Sequence, residues 1–153
     1  MTLYHSSTID YPNNSIIPTG NWGNFLFKIG LEHQSWNREM ALEAVRAWHF
    51  PHKPSRLKST FACDNLETMK CYHSKNNPDG FIYEVSIEDN TAPVHKGDFN
   101  AIEPLSSVSY NMWQIANLYW EYGLKTSVET WENIECSEIV LASPLRVIRK
   151  VTR

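Results

Sequence analysis

Segments with strand character stand at both ends of this 153-residue chain, and helical segments lie between them. A strand satisfies its backbone donors and acceptors only against another strand, so the arrangement points to an α+β domain rather than to a parallel sheet of alternating units. The opening strand runs from Leu3 to Ser6. Two late strands, Glu138 to Ala142 and Leu145 to Val151, are rich in β-branched residues and flank the bend Ser143-Pro144. In the middle, the turn residues Asn76 to Gly80 precede Phe81, Tyr83, Val85 and Ile87, which alternate with Ile82, Glu84, Ser86 and Glu88 as a strand requires. Leu57 to Cys63 has the same character.

The helices are read from spacing and caps. Ser35 or Asn37 can cap a helix in which Ala41, Ala44, Val45 and Trp48 form one stripe, ended by Pro51 and Pro54. Asp64 with Glu67 makes a capping box ahead of Leu66, Met69 and Cys71. Met112, Ile115, Ala116, Tyr119 and Trp120 recur at helical spacing up to Gly123. The stretch from Pro12 to Gly20 and on toward Ser35 reads as a polar loop, and Asn90 to Ser107 shows no regular pattern.

A chain of this length buries roughly two thirds of its unfolded surface in one core, so 1–153 is read as a single domain. Its six tryptophans either fill that core or line a cleft for a flat ligand. A formal net charge of -3 argues against tight non-specific binding to nucleic acid. A local basic stretch, Arg46, His49, His52, Lys53, Arg56 and Lys58, is either a solvated loop or a contact for phosphates. Cys63, Cys71 and Cys136 are odd in number and lack CxxC spacing, which fits free thiols and no metal site. No run approaches the roughly 18 apolar residues of a membrane span, and the first residues lack a signal peptide's pattern, so a cytoplasmic protein is expected. Neither GxGxxG nor GxxxxGK[ST] occurs.

Three short motifs remain. Tyr4-His5-Ser6-Ser7 ends the first strand; Thr60-Phe61-Ala62 precedes a helix; Ser137-Glu138-Ile139-Val140-Leu141 is followed by Pro144-Leu145-Arg146-Val147. In order and spacing they resemble the three signature strands of the diphtheria-toxin-like and poly(ADP-ribose)-polymerase-like ADP-ribosyltransferases. Serine stands at Ser6 where those enzymes carry glycine, and Thr60 stands where they carry tyrosine. Alternatively, Ser59-Thr60 is similar to the Ser-Thr-Ser strand of the toxin group built on Arg, Ser and Glu. The stretch Glu43 to Ala62 also looks like a family of uncharacterised bacterial domains grouped with these transferases.

The resemblance implies a split mixed sheet with flanking helices around a cleft for NAD. It implies that Glu138 is the catalytic carboxylate and that His5, Ser6, Ser7, Arg56, Thr60 and Phe61 bind NAD, with Arg56 at the pyrophosphate and Phe61, Tyr72 or Tyr83 as an aromatic wall. Cys136 stands where arginine-modifying members carry an acidic or amide residue, which implies another acceptor. The chemistry is consistent: leaving nicotinamide develops positive charge on the ribose ring, and a fixed carboxylate on the 2-hydroxyl stabilises it. The implied activity is mono-ADP-ribosyl transfer to a protein or nucleic acid, as a toxin, defence or phage factor, with an antitoxin or regulatory partner. Hydrolysis of NAD and a non-catalytic binding module are the alternatives.

Overall fold

The computed structural model of the chain describes residues 2–102, 112–123 and 136–152. Its strands form two sheets. The first has the order β1 (Leu3–Ser7), β4 (Phe81–Ile87), β7 (Leu145–Thr152), β2 (Ile16–Ile17); the second has the order β3 (Thr60–Ala62), β6 (Ser137–Leu141), β5 (Val94–Asp98). The sheets touch along a seam between β1 and β3, where the amides of Tyr4 and Cys63 donate to each other's carbonyls at 2.9 and 2.8 Å. The fold is α+β. Every pairing among the described strands is antiparallel, which corrects the expectation of a mixed sheet. β1 and β7 both run antiparallel to β4 and lie on either side of it, so their common direction never becomes a parallel ladder.

Five helices accompany the sheets among the described residues: α1 (Asn21–Ile29), α2 (Trp36–His49), α3 (Leu66–Asn76), α4 (Phe99–Ile102) and α5 (Met112–Tyr122). Leu3, Tyr83, Val85, Leu145 and Val147 of the first sheet share a core with Ala62, Ile139 and Leu141 of the second, so the two sheets curl toward one another. A second core joins α2, α4 and α5 through Leu42, Val45, Phe99, Ile102, Ala116 and Trp120. There the Trp120 indole donates to the Leu42 carbonyl at 2.7 Å, which satisfies a polar atom that burial would otherwise penalise. No helix among the described residues is long and apolar enough to cross a membrane.

Several expected boundaries shift for physical reasons. The buried arc of α2 runs through Arg38, Glu39, Ala41, Leu42 and Val45, while Trp48 is 84% exposed. The helix is thus rotated away from the apolar stripe, because charged residues on it find partners inside. Asn65, not Asp64, caps α3: its side chain accepts from the Thr68 amide at 2.8 Å, and Asp64 instead pairs with Lys96 at 2.7 Å. The strand expected over Leu57 to Cys63 is only three residues long, preceded by a 3-10 turn at Arg56–Lys58. The stretch read as patternless from Asn90 contains β5 and α4; its part beyond residue 102 lies outside the described residues.

α1 lies inside the stretch expected to be a polar loop, although Trp22, Phe25, Leu26 and Ile29 fall at helical spacing; Phe25, Phe27 and Ile29 remain exposed. Its docking depends on Gly23, where an added Cβ would sit 2.1 Å from the Leu57 carbonyl oxygen. A backbone atom cannot yield as a flexible side chain does. Gly23→Ala is therefore expected to destabilise the protein by about 1–3 kcal/mol in urea unfolding, and a change within about 0.5 kcal/mol would show that α1 does not need this contact.

Candidate functional site

β6 is the central strand of the second sheet, so a side chain on it is flanked from both sides and is buried. Glu138 lies opposite Gly97 of β5 and is fully buried, with no exposed surface. A carboxylate in such a place needs cations. Arg56 arrives from the 3-10 turn before β3 and is itself only 3% exposed. Its Nη1 donates to Glu138 Oε1 and, at 2.9 Å, to the Tyr119 hydroxyl of α5. The Tyr119 hydroxyl in turn donates to Glu138 Oε1 at 2.7 Å. Among the described residues Glu138 Oε2 has no hydrogen-bond partner.

The other edge of the Arg56 guanidinium is held by Glu39 of α2, with Nε to Oε2 at 2.9 Å and Nη2 to Oε1 at 3.1 Å. Glu39 Oε1 also accepts from Arg38 Nε and Nη2 at 3.2 and 3.0 Å. Two guanidinium groups therefore face two carboxylates in a closed space. Burial alone would raise the Glu39 carboxyl, yet the charges of Arg56 and Arg38 hold it below its ordinary value. Burial works against the Arg56 cation, but Glu138 and Glu39 hold its proton well above the ordinary range. Tyr119 and Tyr72 are both pushed well upward, by burial first and by the Glu138 charge second, so both phenols keep their protons. The Arg56 guanidinium also lies over the Phe61 ring, 5.0 Å from its centroid.

The pairing registers decide which expected residues meet. Phe61 opposes Val140, so Glu138, two residues away, leaves the same face of the second sheet as Phe61. Across the seam Tyr4 opposes Cys63 and shares that face, which puts the neighbouring His5 side chain on the other one. His5 and Glu138 therefore do not border one surface. They are linked only through β3: His5 Nδ1 donates to the Phe61 carbonyl at 2.6 Å. Burial lowers the His5 imidazole from its ordinary value, against the pull of that carbonyl.

The remaining expected residues have internal partners. Ser6 Oγ lies 2.8 Å from His73 Nδ1 and accepts from Asn77 Nδ2 at 3.1 Å, tying β1 to α3. Ser7 Oγ accepts from the Ile9 amide at 3.1 Å. Thr60 Oγ1 donates to the Ser143 carbonyl at 2.8 Å, on the inter-sheet side of β3. Arg56, expected at a pyrophosphate, is instead enclosed by carboxylates and a phenol, since the interior must neutralise Glu39 and Glu138. Of the expected aromatic wall, Tyr72 packs edge-on to Phe99 and Tyr83 bonds the Tyr11 amide and the Ile9 carbonyl. Among the described residues no three His, Cys, Asp or Glu side chains are grouped to hold a metal ion.

Glu39, Arg38 and Tyr119 also belong to the cluster, and helical spacing identifies Tyr119 only as one of a recurring set on α5. The available signal was that Glu39 stands three residues before Leu42 on the arc that becomes buried.

Arg56→Ala would leave two buried carboxylates without their shared cation. A loss of about 3–5 kcal/mol in urea unfolding is expected, and a loss below about 1 kcal/mol would contradict the enclosed geometry. A second expectation concerns acid. His95 of β5 is held at about 4, by burial first and by the Lys53 charge second. An unfolded histidine takes up its proton near pH 6.5. The stability from neutral His95 is therefore complete above about pH 6.5 and declines as pH falls toward 4, by up to about 1.4 kcal/mol per pH unit. His95→Gln should flatten that decline in unfolding measured from pH 7 to pH 4.5, and an unchanged slope would refute the assignment.

No curated protein matches the chain. Residues 10–150, almost its full length, match the family described as "Protein of unknown function (DUF2441)". The chain, with its buried Glu39–Arg56–Glu138–Tyr119 cluster, belongs to the DUF2441 family.

Proposed function

We propose that this protein is a mono-ADP-ribosyltransferase that takes NAD as substrate and passes ADP-ribose to a macromolecular acceptor, protein or nucleic acid, with Glu138 as the catalytic carboxylate. The observation that carries the reading is the asymmetry of Glu138: Oε1 is held by Arg56 and Tyr119, while Oε2 is buried without a partner among the described residues. A buried carboxylate oxygen left unmatched is costly, and such atoms concentrate where a ligand completes the site. A ribose hydroxyl has the donor that Oε2 lacks. The carboxylate would then oppose the positive charge that develops on the ribose as nicotinamide leaves, which is where fixed charge is worth most.

The neighbouring residues fit NAD in part. Phe61 offers an aromatic face beside the carboxylate, although Arg56 already covers one side of it. His5 spends its Nδ1 hydrogen on the Phe61 carbonyl, so the neutral ring presents Nε2 as an acceptor for a hydroxyl. Arg56 does not fit a pyrophosphate, because both of its edges are engaged inside. A second reading, a non-catalytic module in which the ion cluster is structural, is favoured by the complete burial of Glu138 and by the placement of His5 on the opposite face.

Release of nicotinamide from NAD by the purified protein, with and without cell lysate, separates the two. Transfer predicts release that rises with lysate and a label that either protease or nuclease removes; Glu138→Gln should slow release by roughly a hundred- to a thousandfold. Release equal with and without lysate would indicate hydrolysis. Absence of both release and thermal stabilisation by millimolar NAD would establish the non-catalytic module.

A further inference from the structure

A carboxylate that acts through one oxygen must have the other one fixed. We propose that Tyr119 is the positioning residue for Glu138: its phenol accepts from Arg56 and donates to Glu138 Oε1, so that Oε2 alone is presented to the sugar. This assignment rests on the mono-ADP-ribosyltransferase reading.

The direction of the contacts follows from chemistry. A guanidinium has only donors, so in the Arg56–Tyr119 contact at 2.9 Å the phenol oxygen accepts. The phenol hydrogen is then directed at Oε1, 2.7 Å away. Arg56 cannot swing aside, because Glu39 holds its Nε and Nη2. The ring is fixed as firmly as the hydroxyl. It seats over Gly97, the residue opposite Glu138, where a Cβ would lie 2.2 Å from Tyr119 Cε2 and 2.8 Å from the hydroxyl oxygen. The rings of His95 and Trp120 stand 4.9 Å from it. Phenylalanine would fill the same space in the core but would leave Oε1 to Arg56 alone.

The charged and titratable groups around this contact are Arg56, Arg38 and Glu39 on the α2 side, His95 on β5, and Tyr72 and Cys63 toward α3. Tyr119→Phe leaves all of them in place. It removes the phenol's hydrogen bond to Glu138 together with the one it accepts from Arg56, so kcat for nicotinamide release should fall roughly ten- to a hundredfold with KM within about twofold of the wild-type value. Gly97→Ala, which keeps the phenol but pushes its ring and hydroxyl out of place, should reproduce the fall in kcat in a variant whose thermal unfolding shows it folded.

Wild-type kcat in Tyr119→Phe, or a rise in KM with kcat unchanged, would overturn the positioning role. If the wild type is active, Glu138→Gln inactive and Tyr119→Phe unimpaired, this assignment alone fails. If the wild type releases no nicotinamide, or if Glu138→Gln is as active as the wild type, the catalytic reading of Glu138 fails and the assignment with it.

Discussion

The guanidinium of Arg56 is the point through which the halves of the molecule agree. One edge meets Glu39 of α2, the other meets Glu138 of β6, and the Tyr119 phenol of α5 closes the group. Removing these charges from water is expensive, and their attraction does little more than offset that cost. What the cluster provides is a penalty on alternatives: an arrangement that strands either carboxylate in the interior loses several kcal/mol. The depth of α2 against the second sheet and the register of β3 beside β6 are set together by one side chain. The same constraint occupies both edges of the Arg56 guanidinium inside the molecule.

Two sheets that curl over a shared core but touch edge to edge at a single pair of residues give β3 an unusual position. Its Phe61 side chain faces the ion cluster, its Thr60 and Ala62 side chains face the inter-sheet core, and its Phe61 carbonyl receives the His5 imidazole from across the seam. A ligand that engaged both His5 and Glu138 would have to pass over this short strand.

The sequence was most legible where periodicity and burial coincide. Phe81 to Ile87, the helix ending at Gly123 and the two last strands were readable because alternation, helical spacing and β-branched runs are each imposed by a neighbouring element. α1 and β5 were not, for opposite reasons. α1 fully buries only Gly23 and Leu26 and leaves Phe25 and Phe27 exposed, whereas β5 carries His95, Lys96, Gly97 and Asp98, residues that are strand-forming only because β6 lies beside them. At the candidate site, Glu138 could be singled out by resemblance, but its partners could not. Glu39 and Tyr119 sit on helices at positions whose significance depends on the side chain that reaches them from 17 and 63 residues away.

The strand order has a consequence for how the chain comes to be folded. β7 lies between β4 and β2, and β6 lies between β3 and β5, so each sheet is missing an interior member until residues 137–152 have been synthesised. Before then β1 and β4 can pair as a two-stranded ribbon, but β3 and β5 have no common neighbour and Arg56 lacks half of its counter-charge. Long-range pairing of this kind is slow and leaves strand edges uncovered in the meantime. Nascent chain on the ribosome is thus incomplete in both sheets at once, and the buried ion cluster closes in the same late step that completes them.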